Sequence, residues 1–180
     1  MADVDKIIDG KNNDDSDVGE LVNPPSNPTS TVTVNTKLEK AIKENDQPII
    51  IDIARNDPDI HVRMEAIKHI ADMSILRDIA QNDCKYDIRL ECVRNITDNS
   101  ILAEIAKNTL YNDVCSKAVE LIDDELILMD IAKNTSSNSI CLKAVRSIND
   151  RSLLEDIYKN TSSTCVSLEA LKMLQINEEK

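Results

Sequence analysis

The chain has 180 residues, of which 33 are acidic and 21 are basic, so it carries a net charge of −12. Binding to a phosphate backbone needs clustered lysine and arginine. Stacking on bases needs aromatic rings, and this chain has three tyrosines and no tryptophan or phenylalanine. The composition therefore argues against nucleic acid as a partner. No apolar run reaches the roughly 18 residues that suggest a membrane span, and no secretory leader is evident, so we expect a cytoplasmic protein without a membrane partner.

The first 35 residues differ in composition from the rest of the chain. They hold seven acids, two lysines, both glycines and the stretch NPPSNP at 23–28. Such a segment buries little apolar surface, so we predict a disordered acidic N-terminal tail over residues 1–35. Within it, residues 17–22 (DVGELV) are interpreted as a solvated linker in preference to a short docking motif.

A 26-residue repeat occupies the remainder of the chain. It is visible as SILRDIAQN at 74–82, SILAEIAKN at 100–108, LILMDIAKN at 126–134 and SLLEDIYKN at 152–160. Each unit contains two short amphipathic patterns, here called helix A and helix B, and helices of this length are stable only when packed on neighbours. A fixed period of this kind is typical of stacked repeat proteins. We predict an all-α fold, an α-solenoid of about five stacked 26-residue two-helix repeats over residues 36–180.

Small and polar columns of the repeat predict how the helices pack and end. An alanine column on helix B allows close approach, and Tyr158 breaks it in the last unit. Aspartates before helix B are predicted N-caps, and asparagines at its end are predicted to adopt the left-handed conformation of a C-cap. The residues concerned are Ala54, Ala80, Ala106 and Ala132; Asp72, Asp98, Asp124 and Asp150; and Asn56, Asn82, Asn108, Asn134 and Asn160.

Helix A carries a signature that resembles the HEAT-like family of α-solenoids. The matching residues read VRMEA at 62–66 and IRLEC at 88–92, and LRDIAQND at 76–83 is similar to the variant leucine-rich repeat. The resemblance implies a solenoid with an extended binding surface. The variant leucine-rich type can carry an iron–sulfur cluster in a cysteine-rich N-terminal segment. Residues 1–83 contain no cysteine, so we expect no such cluster and no cofactor.

Two arginines fall on the apolar side of helix A. Arg63 and Arg89 need partners if they are buried, and Asp57 and Asp83 lie six residues before them. Both positions change together in later units, to threonine with cysteine or serine. We predict an Asp–Arg pair in each of the two units, with Asp57 of the preceding unit as a second possible partner of Arg89. A ligand-binding arginine is the alternative.

An acidic column follows the outer side of helix B. Four of its five members have a cation three residues later, which gives weak pairs along a helix. The next column is variable. Two interpretations remain: a solvated, self-neutralised face, or a partner-binding ladder. The candidate partner-binding residues are Asp52, Asp78, Glu104, Asp130 and Asp156 in the acidic column and Ile51, Arg77 and Met129 in the variable one.

The residue types provide no support for catalysis or metal binding. His61 and His69 are two helical turns apart, and Cys115 and Cys141 are predicted to be small core residues. We therefore expect a non-catalytic protein-binding or scaffolding module that is a monomer and has another protein as its partner. The alternatives are a HEAT-like enzyme of the DNA-base glycosylase or chromophore-lyase type, and a regulatory subunit whose acidic tail competes for its own groove.

Overall fold

The computed structural model describes the backbone of residues 29–178 and the side chains of residues 36–176. Within that part the chain is all-helical, with eleven helices and no strand, which confirms the predicted fold class. The helices are α1 (Thr29–Glu44), α2 (Gln47–Asn56), α3 (Ile60–Ile67), α4 (Met73–Asn82), α5 (Tyr86–Arg94), α6 (Asn99–Asn108), α7 (Asn112–Leu121), α8 (Glu125–Asn134), α9 (Asn138–Arg146), α10 (Arg151–Asn160) and α11 (Thr164–Glu178).

Odd-numbered and even-numbered helices form two stacked rows, called here the A helices and the B helices. Each B helix packs on the A helix that follows it, and each A helix packs on the next A helix. Neighbouring B helices also pack together from α4 to α10. Between the rows lies one apolar core, in which the four alanines of the B-helix column are 0–1% exposed. Tyr158 takes the same position in α10 and is 41% exposed.

The predicted aspartate caps begin the B helices. Asp72, Asp98, Asp124 and Asp150 each accept a hydrogen bond from a backbone N–H of the first turn. Asp46 does the same for α2, accepting from the N–H of Ile49 at 3.2 Å. These caps satisfy donors that a helix start leaves free, so the turn from each A helix to its B helix is fixed locally.

The predicted left-handed asparagine caps are wrong. Each asparagine is instead the last helical residue, and the C-cap is the following aspartate or threonine in an extended conformation. Four of the five asparagines donate back to the acidic column of their own helix, as Asn56 Nδ2 does to Asp52 Oδ1 at 2.9 Å. The side-chain amide is therefore used along the helix, and the chain leaves each B helix without a positive φ.

The structure bears on three further points: the N-terminal boundary of the repeat domain, membrane-spanning helices and metal-binding groups. Helix α1 begins at Thr29, upstream of the predicted boundary at residue 36, while residues 1–28 lie outside the described part, so disorder there stays a prediction. In residues 29–178 no helix is both long and apolar enough to cross a membrane. The same region holds no group of three or more His, Cys, Asp or Glu side chains suited to a metal ion.

Candidate protein-binding surface

Arg63 is buried and links three consecutive elements. Its Nε donates to the carbonyl of Ala54 at 2.8 Å, near the C-terminal end of α2. Its Nη2 donates to the carboxylate of Asp83, which follows α4 in the next repeat. The Arg63 side chain is 9% exposed and the Asp83 side chain 12%. The predicted pairing within one unit with Asp57 is not made; Asp57 Oδ1 accepts from the N–H of Asp59 at 2.9 Å.

Arg89 repeats this arrangement with different partners. Its Nη1 donates to the main-chain carbonyl of Asp83 at 3.2 Å, and its Nη2 donates to Asp113 of the next repeat at 3.2 Å. Its guanidinium also lies 3.8 Å from the ring centroid of Tyr111, a cation–π contact. The predicted ion pair of Arg89 with the Asp83 carboxylate is therefore replaced by a pair with Asp113. Both arginines bind across a repeat boundary because the next repeat brings a carboxylate within reach.

Thiols take the place of the arginines in the later repeats. Cys115 Sγ contacts the carbonyl of Thr109 at 3.3 Å, and Cys141 Sγ contacts that of Thr135 at 3.1 Å. Both thiols are 3% exposed, as predicted for small core residues. Burial raises the pKa of both thiols, so they stay protonated and can donate. This column therefore supplies a donor to the end of the preceding B helix in charged and neutral forms alike.

The acidic column of the B helices is used between repeats. Arg55 Nη2 donates to Asp78 at 2.7 Å, 23 residues on, and Lys107 pairs with Asp130 and Lys133 with Asp156 at the same spacing. The hydrogen bond from Lys107, supported by one from Asn134, lowers the pKa of Asp130. The predicted pairs three residues apart are thus not the ones formed by these three cations. We call these 23-residue contacts inter-repeat clasps.

One repeat forms its clasp with a cation from a different position. Residue 81 is glutamine, so the repeat lacks the cation that would reach Glu104. Arg77 donates to Glu104 instead, at 2.6 Å. The variable column made Arg77 a candidate partner-binding residue. In the structure Arg77 takes the role of the cation that position 81 lacks. At the first repeat, Lys37 of α1 lies 3.7 Å from Asp52.

The remaining candidates of the variable column are not free surface either. Ile51 and Met129 are partly buried against the core, and Ala103 is 8% exposed. All five acids of the B-helix column already have a cationic partner. The structure therefore brings the predicted ladder together as one column, and each rung is occupied by a contact within the chain.

The A helices are joined by similar clasps along their outer side. Lys143 of α9 donates to Glu120 and to Ser116 of α7, both at 2.6 Å. Arg146 of α9 donates to Glu169 of α11 at 2.6 Å, again 23 residues apart. These contacts lower the pKa of both glutamates, with Lys143 and Arg146 as the first causes. Opposite charges thus close the boundaries α7–α9 and α9–α11.

The boundary between α5 and α7 has the same register but the wrong charges for a clasp. Arg94 and Lys117, 23 residues apart, are both cations. Each turns to a glutamate on its own helix: Arg94 to Glu91 at 3.4 Å and Lys117 to Glu120 at 3.0 Å. A groove of about 270 Å³ lies at this boundary. We call it the α5–α7 groove; its lining residues are Tyr86, Leu90, Asp113, Ser116, Lys117 and Glu120.

The α5–α7 groove has a mixed lining. Leu90 is 9% exposed, while the ring of Tyr86 is 54% exposed beside it. Sequence reasoning missed this site, although one signal was present: among A-helix positions 23 residues apart, 120 with 143 and 146 with 169 are opposite in charge, whereas 94 with 117 are alike. A second groove of about 240 Å³ lies beside Arg55 and Asp83 on the B side, and its lining includes the clasped Asp78.

Comparison with known protein families, curated proteins and solved structures finds no match to this chain. The resemblance to HEAT-like and variant leucine-rich repeats stays a prediction.

Proposed function

We propose that this chain is a non-catalytic protein-binding module of the HEAT-like type, which binds its partner through the A helices at the α5–α7 groove. Regular helical repeats offer an extended surface for such contacts. The observation that carries the proposal is the unclasped boundary between Arg94 and Lys117, with a groove beside it. A partner of this kind is another protein, and we propose that it meets a monomer in the cytoplasm.

The choice of the A helices over the B helices follows from how the charges are used. The B-helix acids, which sequence analysis gave as candidate partner-binding residues, are engaged in inter-repeat clasps. A partner that bound them would meet carboxylates whose charge is already balanced by a cation within the chain. At the α5–α7 groove an incoming group meets the exposed ring of Tyr86 and a buried leucine at position 90 without breaking a clasp. Tyrosine is enriched among the residues that dominate binding energy at protein interfaces.

The enzyme alternatives gain no specific observation from the residues that line the two grooves. The α5–α7 groove carries Lys117, Glu120 and Asp113, each of which already has an ion-pair partner in the chain. We therefore retain the glycosylase and lyase types only as a hypothesis. An enzyme-regulatory subunit is compatible with the proposed binding role.

The test is affinity capture from the native cell with matched variants, followed by quantitative mass spectrometry. Tyr86→Ala removes an exposed ring at the groove, and Leu126→Ala removes a side chain that is 60% exposed on the B helix α8. We expect Tyr86→Ala to reduce recovery of the specific partner at least tenfold and Leu126→Ala to leave it unchanged. Equal recovery with Tyr86→Ala, or loss only with Leu126→Ala, would contradict the proposed surface.

A further inference from the structure

Two cations, Arg94 and Lys117, occupy the 23-residue register beside the α5–α7 groove, whose lining also includes Asp113 and Glu120. Residues 17–22 carry a carboxylate between two valines. We propose that residues 17–22 (DVGELV) dock in this groove with Glu20 between Arg94 and Lys117. The inference rests on the proposed function, because it names a ligand for the same surface. The docked segment would compete with an external partner for the groove.

The need for a carboxylate follows from the other A-helix boundaries. At α7–α9 and α9–α11, a cation and a glutamate 23 residues apart form a hydrogen bond of 2.6 Å. At the α5–α7 boundary both positions are cations, and the Arg94 side chain remains 50% exposed with a contact of 3.4 Å to Glu91. A carboxylate from outside the two helices supplies the charge that the register lacks. It leaves the existing pairs of Arg94 and Lys117 with their own helices in place.

The need for aliphatic neighbours follows from the spacing along α5. Tyr86, Leu90 and Arg94 follow each other at four-residue steps, which is about 6 Å per step on a helix. Alternate residues of an extended chain lie on one side at nearly the same spacing, roughly 6.6 Å. With Glu20 beside Arg94, either chain direction places Val18 or Val22 over Leu90. Both the charge and the apolar contact can therefore be made at once.

Glu20 is distinguished from the other acids of residues 1–28 by its sequence neighbours. It alone has an aliphatic residue two positions away on both sides, namely Val18 and Val22. Asp14, by comparison, has Asn12 and Ser16 at those positions. The pattern Val-x-Glu-x-Val matches the spacing of Leu90 and Arg94 on α5.

The length of chain between Glu20 and the first helix permits docking in the same molecule. Nine peptide steps separate Glu20 from Thr29, and these span at most about 30 Å. Helix α1 packs on α3, α3 on α5 and α5 on α7. With packed helices about 8–10 Å apart, the groove lies about 20–25 Å sideways from α1. Thr29 begins α1 whereas Arg94 ends α5, so a distance along the helix axis adds to this and docking needs a nearly extended link.

The experiment uses amide resonances of the full-length chain in two reciprocal variants. Glu20→Lys should shift amides of α5 and α7 around Leu90 and Lys117. Lys117→Glu should shift amides of residues 17–22, far along the sequence from the substitution. Matched controls change charge equally elsewhere: Asp14→Lys in the N-terminal segment and Lys172→Glu on α11. We expect both controls to leave the reporting amides in place.

Three results would overturn the inference. Shifts confined to the neighbourhood of each substitution show that residues 17–22 do not dock. Equal shifts with Asp14→Lys show that the effect is general charge and not this segment. Shifts that weaken on dilution show that a second copy supplies the segment. If docking fails while Tyr86→Ala still loses the captured partner, the inference fails alone; if docking holds while partner recovery is unaffected, the proposed function fails.

Discussion

The first repeats place buried charge where the later repeats place a thiol. Arg63 and Arg89 face the end of the preceding B helix, and Cys115 and Cys141 occupy the same column two repeats on. Ser167 continues it, donating to the carbonyl of Tyr158 at 2.9 Å. The last carbonyls of a helix lack partners within it, so what the column provides throughout is a donor. Charge is an addition, and it lets the arginines bind across to the next repeat as well.

The two regions therefore differ in how they would respond to change. An Arg–Asp pair that spans a boundary couples two repeats. Removing either partner leaves the other as an unpaired buried charge, which is strongly destabilising. A thiol contact stays within one boundary and its loss is local. We expect the N-terminal repeats to be the more sensitive to single substitutions.

The largest expected effect comes from Asp83. Asp83→Asn leaves the Arg63 guanidinium, 9% exposed, without its carboxylate, and should lower the free energy of unfolding by about 3–5 kcal/mol. Asp57→Asn is the matched control, because Asp57 contacts only a local N–H, and should cost little. Urea unfolding followed by circular dichroism measures both. Similar losses for the two variants would show that the inter-repeat pair has no special weight.

The next largest effect is expected when the neutral residues of a later repeat replace the charged pair Arg63–Asp83. Arg63→Cys with Asp83→Thr reproduces the side chains at positions 115 and 135, two repeats further along the chain. Replacing a whole buried ion pair is far milder than breaking it, so the double variant should be more stable than the sum of the single changes by about 1–3 kcal/mol. A double-mutant cycle by urea unfolding gives this coupling. Additive losses would mean that Arg63 and Asp83 act independently.

A smaller effect distinguishes the hydrogen bond donated by the Cys141 thiol from its apolar packing. Cys141→Ser keeps a donor at the end of α8, where Cys141 Sγ contacts the carbonyl of Thr135; Ser167 supplies such a donor at the end of α10, to the carbonyl of Tyr158. Cys141→Val removes the donor and keeps an apolar side chain of similar size. We expect the valine variant to be less stable than the serine variant by about 0.5–1.5 kcal/mol. Thermal unfolding of the pair decides it; the reverse order would show that this thiol acts only as an apolar filler.

The smallest effect concerns the clasps of the B helices. A double-mutant cycle over Lys107 and Asp130 should give a coupling of about 0.2–1 kcal/mol at low salt, because the Asp130 side chain is 48% exposed. The pKa of Asp130 is lowered by Lys107. Its stabilising contribution is thus present above the ordinary aspartate pKa and is lost as pH falls through the lower folded-state pKa. Coupling that persists unchanged below both values would contradict an ionic clasp.

Sequence reasoning predicted the fold well because its signal is local and repeated. The aspartate caps and the alanine column depend on neighbours within one unit, and the structure confirms them. Burial of Arg63 and Arg89 follows from the same periodicity. Partner choice does not, because it depends on how far one repeat is offset from the next. The pairs that form are 20 to 24 residues apart, whereas analysis of a single unit favours carboxylates six residues away and cations three residues away.

The same limit explains why the α5–α7 groove was missed. The charges at positions 94 and 117 are unremarkable within their own helices, each with a glutamate three residues away. That both are cations matters only once the clasps at α7–α9 and α9–α11 show that residues 23 positions apart face each other. The B-helix acids, conversely, seemed free because a single unit does not show the cation that the previous repeat brings to them.

The substitution Lys117→Glu tests whether the partner binds at the unclasped boundary between α5 and α7. It places a glutamate opposite Arg94 in the register that joins Arg146 to Glu169, so it should close the boundary with a clasp. The measurement is partner capture and urea unfolding on the same full-length chain. We predict that the free energy of unfolding stays within about 1 kcal/mol of that of the original chain, while partner recovery falls at least tenfold. Undiminished recovery from a chain that folds with a closed α5–α7 boundary would contradict it.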